Sequence, residues 1–138
     1  MVQFMRGDNN GNSNMRIDYF SDNSEDCPLL RIFEVTSEEC QNLMDVFYRL
    51  SRGELKEAAV QEAVGRDSAT GCRLAAKTGK RDIGVVPADR DRFECILRPG
   101  TWDNIAGLVE PFCEDHRGYQ WLDRSSGTAL LLSPSGEW

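Results

Sequence analysis

Two short runs set the strongest constraint on how this chain can fold. "LLRIF" at residues 29–33 and "TALLLS" at 128–133 are apolar at successive positions rather than alternate ones. Successive side chains of a strand point to opposite faces, so strands built from these runs need cover on both sides. A sheet with one face in water would show clean alternation instead. Helices can lie over one face, and a two-fold homodimer is the expected cover for the other.

The remaining elements follow from local pattern. "MRIDYF" sets Met15, Ile17 and Tyr19 against Arg16 and Asp18, the period of a half-buried strand. Thr36 and Glu39 form a T-x-x-E capping box, and Cys40, Leu43, Met44, Phe47 and Leu50 make one helical stripe that Gly53 ends. "ELKEAAVQEAV" at 54–64 reads as helix from its composition, with an edge strand as the alternative. Cys72, Leu74 and Ala76 alternate with charged or small residues, "TGK" supplies a turn, and Ile83 and Val85 continue on a returning strand. "FECILRP" adds a third strand. Thr101 is the expected N-cap of a second helix buried through Trp102, Ile105, Leu108, Val109 and Phe112, with Pro111 kinking or dividing it. "YQWLD" and "TALLLSP" close the chain as a hairpin.

The expected fold is α+β: an antiparallel sheet of six or seven strands, mostly meander, with two or three helices packed over it. Residues 1–14, rich in Asn and Gly, are expected to form a flexible N-terminal tail, and 15–138 a single domain. No internal repeat stands out.

Charge and cysteine usage exclude several classes. The net charge of −7 repels phosphate backbones and disfavours nucleic acid. Only residues 66–98 are basic, with eight cationic against five anionic side chains. Five cysteines, with no C-x-x-C, fit neither a disulfide framework nor a zinc ribbon. No metal and no cofactor is expected. No run approaches the ~20 apolar residues of a membrane span, and the start lacks a secretory signal, so a cytoplasmic protein is expected.

No catalytic residue emerges. "CEDH" at 113–116 holds the only histidine, three positions from Cys113. Zinc would need further ligands, and a thiol at a helix C-terminus beside Glu114 and Asp115 has its pKa raised, opposite to what a nucleophile needs. The segment reads as a helix end. Asp8, Asn10 and Asn12 alternate like a calcium loop, but Ser13 and Tyr19 stand where Gly and Glu are required. Lys77, Lys80, Arg81, Arg90 and Arg92 cluster around two turns, interspersed with Asp82, Asp89 and Asp91. They read either as a docking edge for an acidic partner or phosphate, or as a charged edge that blocks aggregation.

The run "GYQWLDRSSGTALLLSPSGEW", preceded by "FECILRPGTWDNIAGLVEPF", resembles a group of small uncharacterised bacterial proteins over about residues 15–138. The resemblance implies a bacterial, cytosolic, single-domain protein and assigns no site residue. Function is therefore expected to be that of a non-enzymatic binding or interaction domain of unknown partner. The alternative is a small-molecule-binding domain or enzyme with a pocket between sheet and helices.

Overall fold

The computed structural model describes residues 15–22, 25–64, 72–115 and 117–137. In chain order the elements are β1 (Arg16–Phe20), β2 (Leu29–Phe33), α1 (Ser37–Ser51), β3 (Glu57–Ala59), α2 (Val60–Ala63), β4 (Arg73–Thr78), β5 (Gly84–Asp89), β6 (Arg92–Leu97), α3 (Pro99–Val109), β7 (Gln120–Asp123) and β8 (Ala129–Ser133). A 3-10 turn over Glu110–Cys113 follows α3, so Pro111 does end the α-helix. The expected tail, residues 1–14, lies outside the described residues.

The α+β class holds, but the single antiparallel sheet does not. Among the described residues eight strands form two mixed sheets of four, in the orders β1-β2-β8-β7 and β3-β4-β6-β5. Each has a parallel pair at its centre, β2 with β8 and β4 with β6, and an antiparallel strand on either side. The meander fails at one step. The expected return from β4 to β5 does not pair them, because β6 inserts between, setting Leu74 beside Phe93 and Ala76 beside Cys95 on the inward face. Alternation reveals that a strand exists and which residues it buries; it carries no information about the partner.

The two runs that demanded cover on both sides are neighbours. Leu30 pairs with Leu130 and Ile32 with Leu132, all fully buried in the main core. On the opposite face Leu29, Ala129 and Leu131 form a second cluster beneath Phe20, Cys27 and Trp121. The Arg31 guanidinium adds to this layer, 4.0 Å from the Phe33 ring centroid and 5.1 Å from that of Phe20. The chain thus covers both faces itself, and the ground on which a homodimer was expected is gone. Trp121 belongs to this outer layer.

The chain order also repeats. Residues 16–78 run strand, strand, helix, strand, strand, and residues 84–133 do the same, with α2 as an addition to the first half. Each sheet takes two strands from each half: β1 and β2 join β7 and β8, while β3 and β4 join β5 and β6. The parallel pairs are in equivalent register. Leu29 beside Ala129 corresponds to Arg92 beside Arg73, and Arg31 beside Leu131 to Glu94 beside Ala75. The halves meet through α1 and α3, where Phe47 stacks on Trp102 with centroids 5.0 Å apart.

Local signals placed α1 correctly. Thr36 Oγ1 accepts from the Glu39 N–H at 3.1 Å, and Glu39 Oε1 accepts from the Thr36 N–H at 3.0 Å. Residues 54–64 are neither of the expected alternatives alone, since edge strand β3 runs straight into the one-turn α2. Its Gln61 explains why. Pairing of β3 with β4 stops at Ala59 opposite Ala75. The buried Gln61 amide then takes the place of the next strand residues, accepting from the Leu74 N–H and donating to the Cys72 carbonyl. A side chain completes what a longer strand would have done.

The start of α3 also differs from expectation. Its N-cap is Arg98, with Pro99 at the first helical position, rather than Thr101. The capping carboxylate comes from the β4–β5 connection: Asp82 accepts from the Arg98 N–H at 2.9 Å and from the Thr101 hydroxyl at 2.9 Å. The Arg98 N–H foremost, then the Arg98 guanidinium and the Thr101 hydroxyl, hold the Asp82 carboxyl below its usual pKa. A group depressed in the folded state contributes stability above its unfolded pKa and loses it as pH falls through the lower folded value. Asp82→Ala is therefore expected to cost about 1–2 kcal/mol at neutral pH. The difference from the parent protein should shrink once the pH drops below about 4. Urea unfolding of both proteins between pH 7 and pH 3 checks this, and a pH-independent difference would refute the cap.

Candidate functional site

The outward faces of the two sheets are built on equivalent rungs and carry opposite chemistry. The first sheet's is filled by apolar and aromatic side chains, with Arg16 and Arg31 lying over the rings. The second sheet's outward face presents Arg92 beside Arg73, Glu94 beside Ala75, and Ile96 beside Lys77. All six are exposed or half-buried. Ala59 flanks Ala75 on the β3 side, and Val86 flanks Glu94 on the β5 side. Alanine barely rises above the backbone, whereas arginine and glutamate stand well clear of it. The result is a hollow of about 260 Å³ with Ala59, Ala75 and Ala88 in its lining and charged groups around them.

Those charges are unevenly matched. Lys77 donates to Glu94 at 2.8 Å, which raises the lysine pKa, and Glu57 stands 4.0 Å from the same ammonium. Arg73 and Glu62 approach only to 4.0 Å, at the limit of an ion pair and partly in solvent. Such pairs are worth little and yield readily to a better partner. The Arg92 side chain has no ion pair or hydrogen bond among the described residues. Arg73, Arg92, Glu62 and Glu94 line the hollow and balance in formal charge, but no carboxylate among the described residues lies within ion-pair distance of Arg92.

Register creates this site, and it divides the basic cluster read from the sequence. Lys80 and Arg81 lie in the β4–β5 connection and Arg90 in the β5–β6 turn, at opposite ends of the sheet. Six-residue strands hold those turns roughly 16 Å apart. Lys77 and Arg92 do share the outward face, two rungs apart. Arg73 was not singled out in the sequence. Its alternation with Leu74 placed it on an outward face, but only the parallel pairing of β4 with β6 sets it beside Arg92.

A second depression, of about 300 Å³, lies where the sheets meet, between Tyr19, Cys72, Pro87, Arg90 and Phe93. The Tyr19 and Phe93 rings are 5.1 Å apart, and the Cys72 N–H donates to the Ile17 carbonyl at 2.6 Å. Burial, with Asp91 second, pushes the Cys72 thiol up. That shift is opposite to what a nucleophilic thiol needs.

Cys40, Cys95 and Cys113 behave alike. Burial first, then Cys113 and Glu39, pushes Cys40 up to about 12. Cys95 is raised further by burial. Cys113 is raised by burial and then by Glu110 and Glu114, in line with the helix-end reading of "CEDH". Its His116 lies outside the described residues. Among the described residues no group of three or more His, Cys, Asp or Glu side chains is placed to hold a metal ion. No helix among them is long and apolar enough to cross a membrane. The chain matches no protein-family model, no curated protein and no solved structure.

Proposed function

We propose that this is a non-enzymatic, cytoplasmic binding domain whose hollow on the outward face of the second sheet takes a carboxylate-bearing ligand. The observation that carries the reading is Arg92, without a partner among the described residues, beside Arg73 above an alanine floor. Two guanidiniums on one rung offer the forked donors that a carboxylate accepts. One guanidinium without an ion pair suits a monoanion better than a phosphate dianion. A net charge of −7 and the nearby Glu57, Glu62 and Glu94 argue against a nucleic-acid backbone. Thiols raised by burial support a binding role over nucleophilic chemistry. A homodimer is no longer needed to cover the first sheet, and the reading does not depend on one.

Amide shifts followed by NMR during titration with acetate test this. Shifts are expected to gather at residues 73–75 and 92–94 and at Ala59. Arg92→Gln should weaken acetate binding about fivefold or more. Its stability should stay within about 0.5 kcal/mol of the parent, because an exposed, unpaired side chain is lost. Scattered shifts, or unchanged binding in Arg92→Gln, would sink the reading.

A further inference from the structure

We infer that the carboxylate belongs to a small aromatic acid, whose ring lies on the alanine floor while its carboxylate meets Arg92 and Arg73. This rests on the reading of the hollow as a carboxylate site and adds the rest of the ligand.

The argument comes from comparing equivalent rungs of the two sheets. On the outward face of the first sheet, Trp121 stands beside Leu131. The corresponding pair in the second sheet is Ala59 beside Ala75. Phe20 stands beside Leu29. Its counterpart by register is Asp89, which pairs with Arg92 at the irregular end of β5, where Ala88 drops out of register. Two large apolar side chains of one sheet, Trp121 and Leu131, thus correspond to alanines in the other. The first sheet fills its outward face with its own rings, and the second leaves a ring-sized space on the same scaffold.

The first sheet also shows how this fold covers such rings. Arg31 lies over Phe33 and Phe20, and Arg124 lies 4.3 Å from the Trp121 centroid. Arginines over rings are the cover used there, and Arg73 and Arg92 stand ready for the same use in the second sheet. A guanidinium can stack on a ring through its face and pair with a carboxylate through its edge. Size sets the other limit. A hollow of about 260 Å³ falls below the span of pockets that hold drug-sized ligands, so one ring and its acid group fit and a nucleotide does not.

Isothermal titration with three probes tests the inference: phenylacetate, acetate and phenylacetamide. Phenylacetate is expected to bind with a Kd on the order of 1 mM or tighter. It should bind at least tenfold tighter than either of the others, with ring-current shifts at the methyls of Ala59, Ala75 and Ala88. Ala75→Leu, which installs the residue that the first sheet carries at this rung, should abolish phenylacetate binding. Ala59→Trp gives a second, independent filling of the same space should the first variant fail to fold. Equal affinity for acetate and phenylacetate would overturn the aromatic inference and leave the carboxylate reading standing. Equal affinity for phenylacetate and phenylacetamide would overturn the carboxylate reading, and no binding of any probe would overturn both.

Discussion

Trp102→Ala is expected to cost about 3–5 kcal/mol, the range for truncating a fully buried large aromatic. The side chain has no solvent exposure and stacks on Phe47 at 5.0 Å. Its Nε1–H also donates to the Lys77 carbonyl at 2.9 Å, tying α3 to the end of β4. Truncation removes the ring, opens a cavity between α1 and α3, and leaves a carbonyl without its donor. Domains of this size are stable by about 5–15 kcal/mol in total, so the variant should sit near the edge of folding. Thermal unfolding should show a midpoint lower by roughly 10–20 °C. Trp102→Phe should cost less, because it keeps a ring against Phe47 and loses the hydrogen bond with only part of the ring volume. A loss below about 1 kcal/mol for Trp102→Ala would mean that the helices do not meet through this residue.

Gly84→Ala should be nearly as damaging, for a different reason. Gly84 has φ +90°, a region that side chains other than glycine's adopt only at a cost. An added Cβ would lie 2.6 Å from the Ser126 backbone nitrogen and 3.0 Å from Asp123 Oδ2. This is the seam where β5 meets the β7–β8 turn, closed by the Ser126 hydroxyl donating to the Val85 carbonyl at 2.7 Å. Backbone strain and a forced opening of the seam together should cost about 3 kcal/mol or more. Gly53→Ala is the control. Its φ is +79°, but nothing lies within 4 Å of the added Cβ, so only the strain remains. Urea unfolding of the two variants gives the seam's share by difference, and equal losses would show that the seam yields without cost.

How much of this was legible in the sequence depended on the distance between cause and effect. The capping box joins residues three apart, so α1 was placed to within a residue. Strands announced themselves wherever burial alternates, as in "MRIDYF" and "FECILRP". What was missed rests on partners far along the chain. Asp82 caps a helix whose first residue is Pro99. Gln61 extends the edge of β4 through a side chain, which no period encodes. The doubling of the chain was invisible for a related reason. Corresponding inward positions share apolar character but not identity, as Leu30 and Phe93 show, and outward positions such as Leu29 and Arg92 differ in charge as well. Of the hollow, Arg92 was already marked within a basic cluster, while Arg73 acquires meaning only when the register sets the two side by side.

The interlaced ownership of the sheets fixes what kind of unfolding is open to this molecule. Neither half owns a whole sheet, so neither can come away leaving the other intact. Removing β1 and β2 would strip the first sheet of one of its two central strands, and removing β5 and β6 would do the same to the second. Local opening is therefore confined to edges and turns, and any larger excursion dissolves both layers at once. Such a molecule offers proteases few partly open forms. It must also bring β2 and β8, about a hundred residues apart, into contact before the first layer exists, which makes it slow to assemble as well as reluctant to come apart.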